Sequence, residues 1–335
     1  MNKINLRIKV KRINKKTFIT ECKGRNKIKF SEILYMWLNN NMIKIKQTTY
    51  DKYKFIIDVH IAPELGVLYS DDISSNVINE FLKKKVDTGR IKNGDALSPS
   101  YVKTMGIIIE SSINLGVKEG YCKPLKTPIY KPNLPKKSPR ILNTYEENTL
   151  LDKAANELDN ISIGILLGLV AGLRVGEVCA LTWKDIDFDN QIIKISKTVS
   201  RVINDNGTRK NTYILSSAKT NSSIRTVPIA PLLYETLIKH KKNAKGDFIV
   251  STNETFLTPN SFEYKYKKYL KKYNIDYFNF HVLRHTFATK CAQSGIDAKA
   301  ISLIIGHSTP ATTLNIYVHP PMDMIKQKLS EVYKA

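Results

Sequence analysis

Acidic residues are scarce in this 335-residue sequence, which has 30 Asp and Glu against 53 Lys and Arg and a formal net charge of +23. A folded chain tolerates this much self-repulsion mainly when its partner is a polyanion. We therefore expect a nucleic acid as the partner, with an anionic membrane surface as the alternative. The basic residues are spread over the whole chain rather than along one amphipathic helix, which argues against the membrane.

Cysteines and long apolar runs are also scarce. The four cysteines stand far apart with no CxxC pair, which argues against a disulfide framework or a zinc ribbon and for reduced thiols. The longest apolar run, residues 161–173, is shorter than the roughly 18 residues of a membrane span, and residues 1–13 lack the apolar core of a signal peptide. We expect a soluble, unexported, cytoplasmic protein with about two domains.

Motifs of several common enzyme classes are missing. No GxxxxGK[ST] sequence occurs, which excludes a P-loop. His281 and His285 have the i, i+4 spacing of a zinc-binding helix, but Val282 stands where a metalloprotease has glutamate. Arg284 between the two histidines would oppose a cation. We therefore expect no metal site and no cofactor.

The N-terminal part carries most of the excess positive charge. Residues 1–30 contain eleven Lys and Arg against one acid, and apolar and cationic residues alternate over 4–11. A period of two predicts a strand with one apolar and one cationic face, and residues 17–20 can pair with it. We predict a basic arm over residues 1–30 that forms a β-hairpin; a disordered basic tail is the alternative.

Residues 31–122 have helical periodicity and predict a small helical domain. Helices are expected at 74–85 and 98–115, and two further apolar stripes precede them. Residues 123–141 follow as a linker; 123–140 contain five prolines, six basic residues and no acid. Proline blocks helix and ladder formation, so we predict an extended basic segment able to follow a phosphate backbone. The two apolar stripes of the helical domain, both before residue 74, are Ile33, Leu34, Trp37 and Leu38, then Tyr50, Tyr53, Ile57 and His60.

Residues 142–335 predict a second domain of helices around one small antiparallel sheet, with a turn at 204–207. The predicted fold class is therefore mainly α with a small antiparallel β-sheet (α+β). An amphipathic tail helix is expected over 322–335. The other predicted helices are 145–157, 162–173, 231–241, 260–273, 281–294 and 298–305, and the strands are 192–196, 212–216 and 224–229.

Five sequence elements in this second domain fit attack on a phosphodiester without a metal. In order they are AGLRVGEVCAL (171–181), Lys219 between two predicted strands, HVLRHT (281–286), LIIGHS (303–308) and Tyr317. Their order and their sequence motifs resemble those of the tyrosine recombinases, the phage-type integrases, and especially the integrases of conjugative transposons. The resemblance covers residues 142–335 closely and 31–120 more loosely. It implies a helical core-binding domain and a catalytic domain that form a C-shaped clamp on DNA.

The resemblance implies that Arg174 and Arg284 clamp the scissile phosphate. In-line attack gives a pentacovalent phosphorane whose non-bridging oxygens gain charge, and planar guanidiniums can bind two of them where other enzymes use Mg²⁺. Arginine stays protonated at any working pH. His307 would donate a hydrogen bond to the same phosphate, and Glu177 would support Arg174.

The resemblance assigns the nucleophile and the two proton-transfer groups to three other residues. Tyr317 would form the 3′-phosphotyrosine bond, His281 would accept its proton, and Lys219 would protonate the leaving 5′ oxygen. For the lysine position, nearby basic residues remain alternatives: Lys197, Lys210 and Arg225. Val282 departs from the aspartate common in the family, which affects packing more than chemistry.

The implied function is site-specific recombination that integrates and excises a prophage or conjugative transposon. Chromosome- or plasmid-dimer resolution is the nearest alternative, and a non-catalytic DNA-binding relative is the alternative of another class. The implied partners are double-stranded DNA, three further copies in a homo-tetrameric synaptic complex, an excisionase and a host DNA-bending protein, without a membrane. The enzyme would associate with the bacterial nucleoid when active. The tail helix would dock on a neighbouring protomer or in cis.

Overall fold

The computed structural model describes residues 28–90, 95–133, 140–203, 211–217, 224–251 and 254–306. Its contacts divide the chain into two compact units, Met1–Pro135 and Lys136–Ala335. Among the described residues, no helix is both long enough and apolar enough to cross a membrane. The predicted arm lies outside the described residues up to position 27, as do the 204–207 turn and the tail helix.

The first unit is helical, as predicted. Ser74 caps α3 (Ser75–Thr88) and Ser98 caps α4 (Pro99–Lys118), each by accepting a hydrogen bond from the backbone N–H three residues on. Proline occupies the first turn of α4. The stripe ending at His60 continues from α2 into a turn of π-helix, Ile57–Ile61, whose Ile57 and His60 are buried. The α-helices are α1 (Phe30–Asn41), α2 (Gln47–Ile56), α3 (Ser75–Thr88) and α4 (Pro99–Lys118).

The proline-rich segment begins on the surface of this unit. Residues 123–133 form neither helix nor strand. They are nevertheless packed, because Ile129 is buried in the core of the first unit and the Ser75 hydroxyl donates to the Thr127 carbonyl at 2.8 Å. The first half of the predicted linker therefore contacts α3; residues 134–139 lie outside the described residues.

The second unit is built around α6 (Asn160–Val170), which is apolar on all sides and packs against α5 (Thr144–Glu157), α7 (Val175–Ala180), α8 (Pro231–Lys241), α9 (Pro259–Lys272) and α10 (His281–Gln293). The predicted helix over 162–173 ends earlier, at Val170. Gly172 has φ +66°, a left-handed conformation that ends the helix and turns the chain toward Arg174. The other α-helix described in this unit is α11 (Ala298–Ile305).

The prediction of a single sheet was wrong. Strands β1 (Ile186–Asp187), β2 (Ile192–Ile195) and β5 (Arg225–Pro228) form one antiparallel sheet, while β3 (Lys197–Ile203) and β4 (Asn211–Ser217) form a separate hairpin. The stretch 197–203 was not predicted as a strand. The apolar/polar alternation typical of a strand is hidden there, because polar residues occupy most positions around the buried Val199. The strand β3 is stabilised instead by its pairing with β4.

A glycine in α6 permits close approach of α9. A methyl group on Gly164 would lie 2.4 Å from ring carbons of buried Phe262, so we expect Gly164→Ala to destabilise the second unit by about 2 kcal/mol through overpacking. The Tm measured by thermal unfolding should fall by about 4–8 °C. Gly106→Ala in α4 is the matched control, because the nearest atom to a methyl group there is 3.5 Å away. Equal Tm values for wild type and Gly164→Ala would contradict the packing.

Candidate active site

Arg174 stands at the N-terminal end of α7, directly after the turn at Gly172. Its backbone N–H donates to one oxygen of the Glu177 carboxylate at 2.9 Å, and its Nη1 donates to the other at 2.8 Å. Both bonds follow from the R-x-x-E spacing, which places Glu177 in the first turn of α7, three residues after the N-cap residue Arg174. The Arg174 side chain is 38% exposed, so the guanidinium is oriented by the protein and still open to a ligand.

Glu177 is itself held by a second arginine. Arg225, the first residue of β5, donates from Nη1 and Nη2 to the two Glu177 oxygens at 2.9 and 2.8 Å, and both side chains are buried. Burial alone would raise the pKa of Glu177, but the hydrogen bonds and charge of Arg225, with those of Arg174, outweigh it and lower that pKa to about 2. The carboxylate is therefore ionised at any working pH.

Arg284 lies in the first turn of α10 and is 2% exposed. Its Nη1 donates to the Gly172 carbonyl at 2.7 Å and its Nη2 donates to the Ile305 carbonyl. The turn that carries Arg174 and the end of α11 are thus joined through one guanidinium. Hydrogen bonds to charged donors are among the stronger ones in proteins, so the buried charge stabilises this junction.

His281 and His285 face each other on α10, with ring centroids 4.5 Å apart and the rings nearly perpendicular. Burial lowers the pKa of His281, and the neighbouring positive charges of His285, Arg284 and Arg174 lower it further, from 6.5 to about 4. The pKa of His285 is lowered as well, by burial and by Arg284. His281 is therefore a neutral imidazole near pH 7, the form that can accept a proton.

A cleft of about 670 Å³ brings part of the predicted site together. Arg174 and His281 both line it, together with Arg140, Thr198 and Glu263. Arg284 does not line the cleft, because it is buried and its guanidinium donates to the Gly172 and Ile305 carbonyls. An anion in this cleft would meet the exposed guanidinium and the neutral imidazole at once.

Half of the six predicted site residues are in the described part of the chain: Arg174, His281 and Arg284. Lys219 lies outside it, in 218–223, and His307 and Tyr317 lie outside it, in 307–335. Two alternatives to the lysine have other partners, since Lys197 pairs with Asp185 at 2.9 Å and Arg225 pairs with Glu177. Lys210, the third alternative, also lies outside the described residues.

The contact between Glu177 and Arg225 was not predicted. Arg225 was considered only as a competitor for the lysine position. A signal was present, because Arg225 and the buried Val227 are two residues apart and so share one face of β5. A guanidinium on the inward face of a strand requires a buried acidic partner.

Comparison with known proteins identifies the class. Residues 135–323 match the phage integrase family and residues 29–86 match the N-terminal SAM-like domain of phage integrases. The chain belongs to the phage integrase family. The predicted class, a tyrosine site-specific recombinase near the conjugative-transposon integrases, is confirmed, and so is the mainly α fold with small antiparallel sheets.

Individual relatives are similar over most of the chain. The XerC-like tyrosine recombinase of Caldanaerobacter subterraneus subsp. tengcongensis is 28% identical and the match covers 87% of this chain and 79% of the relative. The transposase from transposon Tn916 of Enterococcus faecalis is 24% identical, with 90% and 76% covered. The structure of the Tn1549 transposon integrase in complex with a circular intermediate DNA has the same fold, with a TM-score of 0.73 at 20% identity, covering 91% of this chain and 99% of that one.

Proposed function

We propose that this recombinase integrates and excises a mobile element by cleaving and rejoining DNA strands through a 3′-phosphotyrosine intermediate. The observation that carries the proposal is the cleft in which an oriented, partly exposed Arg174 stands beside a neutral His281. The likeness to a conjugative-transposon transposase supports the mobile-element role. The net charge of +23 supports duplex DNA as the partner.

The two arginines divide the stabilisation of the phosphorane. Arg174 reaches the scissile phosphate from the cleft and donates to its non-bridging oxygens as they gain charge. Arg284 adds a buried positive charge, and its hydrogen bonds to the Gly172 and Ile305 carbonyls hold the two segments that lead to Arg174 and His307. His307 donates a further hydrogen bond to the phosphate.

The covalent step is a transesterification that conserves the phosphodiester energy. The Tyr317 oxygen attacks phosphorus while its proton passes to His281, and the bond from phosphorus to the 5′ oxygen breaks as Lys219 protonates that oxygen. A 5′ hydroxyl of the partner duplex then reverses the same steps. Exchange of two duplexes requires four strand cleavages, which four protomers supply. An excisionase and a host bending protein would set the direction.

The lowered pKa of His281 predicts the pH dependence of cleavage. Neutral imidazole is the form that accepts the tyrosine proton, and a pKa of about 4 keeps it neutral down to about pH 5. We expect kcat/KM, which reports the free enzyme, to stay constant from pH 7.5 to 5.5. A histidine of ordinary pKa would lose about tenfold over that range. Kd measured at each pH is the control, and an acid limb centred near pH 6.5 would contradict the assignment.

Covalent trapping tests the proposed function. Wild-type protein is incubated in excess chelator with a nicked duplex taken from the DNA beside its own gene, so that the short 5′-hydroxyl fragment diffuses away after cleavage. We expect an adduct that resists denaturant and is joined to the 3′ phosphate. Tight, salt-sensitive binding without an adduct would instead favour a non-catalytic DNA-binding relative.

A further inference from the structure

Three arginines converge on the C-terminal end of α11. Arg225 Nε donates to the Ile304 carbonyl at 2.6 Å, Arg284 Nη2 to the Ile305 carbonyl, and Arg174 Nη2 to the Gly306 carbonyl at 2.8 Å. The three donors come from β5, α10 and the start of α7. Three successive backbone acceptors are therefore bound by three separate elements.

The end of a helix needs such donors. Its last carbonyls lack partners within the helix and carry the negative end of the helix dipole, which cations stabilise. Gly306 follows α11 with φ +64°, so the chain turns there and continues directly into residue 307. The arginines thus hold the end of α11, and His307 is the next residue in the sequence.

Arg225 is bound to two other elements at once. Its Nε, Nη1 and Nη2 all donate to the protein: one to α11 and two to Glu177. Its side chain is 6% exposed and does not line the cleft, so DNA has no access to the guanidinium. The Glu177 carboxylate that it binds also accepts from Arg174 Nη1, at 2.8 Å.

We propose that Arg225 is a positioning residue for strand cleavage. Through Glu177 it orients the Arg174 guanidinium toward the phosphate, and through the Ile304 carbonyl it sets the end of α11 that leads to His307. The inference rests on the proposed function. Arginine is required because its planar fork spans both carboxylate oxygens while Nε points to the helix, a geometry that lysine cannot reproduce.

The experiment compares Arg225→Gln and Arg225→Lys with Lys194→Gln. Lys194 lies on the neighbouring strand β2, is 58% exposed and loses the same charge. We expect the single-turnover cleavage rate at saturating nicked DNA to fall about 50-fold for Arg225→Gln and about tenfold for Arg225→Lys, with Kd within threefold of wild type. Lys194→Gln should cleave at the wild-type rate. A wild-type rate for Arg225→Gln would overturn the proposal.

Two further measurements separate positioning from general stability. If Arg225 acts partly through Arg174, the double variant Arg174→Lys/Arg225→Gln should lose less than the product of the two single losses, whereas fully multiplying losses would overturn that link. Amide hydrogen exchange of the 298–306 peptide should be faster in Arg225→Gln and unchanged in Lys194→Gln. The hydrogen-exchange measurement does not depend on cleavage activity. An inactive wild type would therefore refute the proposed function alone, while unchanged exchange would refute the role of Arg225.

Discussion

Tyr317→Phe is expected to abolish the covalent adduct on nicked DNA, lowering the single-turnover cleavage rate by at least about 1000-fold. Phenylalanine keeps the ring but lacks the oxygen that forms the phosphotyrosine bond, so no other step can replace it. The Kd for the duplex should stay within about twofold of wild type, because phosphate contacts by basic residues dominate affinity. Denaturing gels quantify the adduct and filter binding quantifies Kd.

Tyr333→Phe is the matched control for this variant. It removes a second tyrosine hydroxyl from the same C-terminal segment and should cleave at the wild-type rate. An adduct that survives Tyr317→Phe and disappears in Tyr333→Phe would place the nucleophile on the other tyrosine. The family motif around Tyr317, TTLNIYVH (312–319), is the reason for expecting the first result.

Arg174→Ala should lower the single-turnover cleavage rate by about 1000-fold at saturating DNA. The variant loses the guanidinium that meets the developing charge, and loss of one such preorganised donor already costs about 100- to 1000-fold in other enzymes. The buried Glu177 carboxylate also loses one of its two arginine partners. Because the lost interaction strengthens in the transition state, the rate at saturation should fall far more than Kd rises.

Arg140→Ala provides the control within the same cleft. Arg140 also lines it, but its guanidinium donates to Glu146 at 2.6 Å and lies over the ring of Phe278, with Cζ 4.5 Å from the centroid. We expect its removal to lower the cleavage rate less than tenfold. Equal losses for Arg140→Ala and Arg174→Ala would show that the cleft needs positive charge but no oriented clamp.

The helices of the second unit could be predicted because their signals are local. Residues 281–294 and 231–241 were predicted within one residue of the observed α10 and α8. The end of α6 was misplaced by three residues, since apolar sequence continues to Leu173 while Gly172 already has left-handed backbone. The sheets were misassigned because strand pairing depends on distant partners: β2 pairs with β5 across an intervening hairpin.

The candidate site was predictable as a set of residues but not as an arrangement. Arg174, His281 and Arg284 were chosen from short motifs, and the R-x-x-E spacing already joined Arg174 to Glu177. Short motifs carry no measure of exposure, and two arginines with the same predicted role differ sharply in the structure: Arg174 lines the cleft, whereas Arg284 is buried and does not. The catalytic roles of all six predicted residues stay predictions.

Motifs, composition and periodicity are properties of neighbouring residues, and they were sufficient to predict the class of protein, a polyanionic partner and most of the helices. The contact of Arg225 with Glu177, 48 residues away, and that of Arg174 with the carbonyl of Gly306, 132 residues away, became evident only in the folded chain. A buried guanidinium is stable only where acceptors converge on it, and the packing of β5, α7, α10 and α11 supplies them.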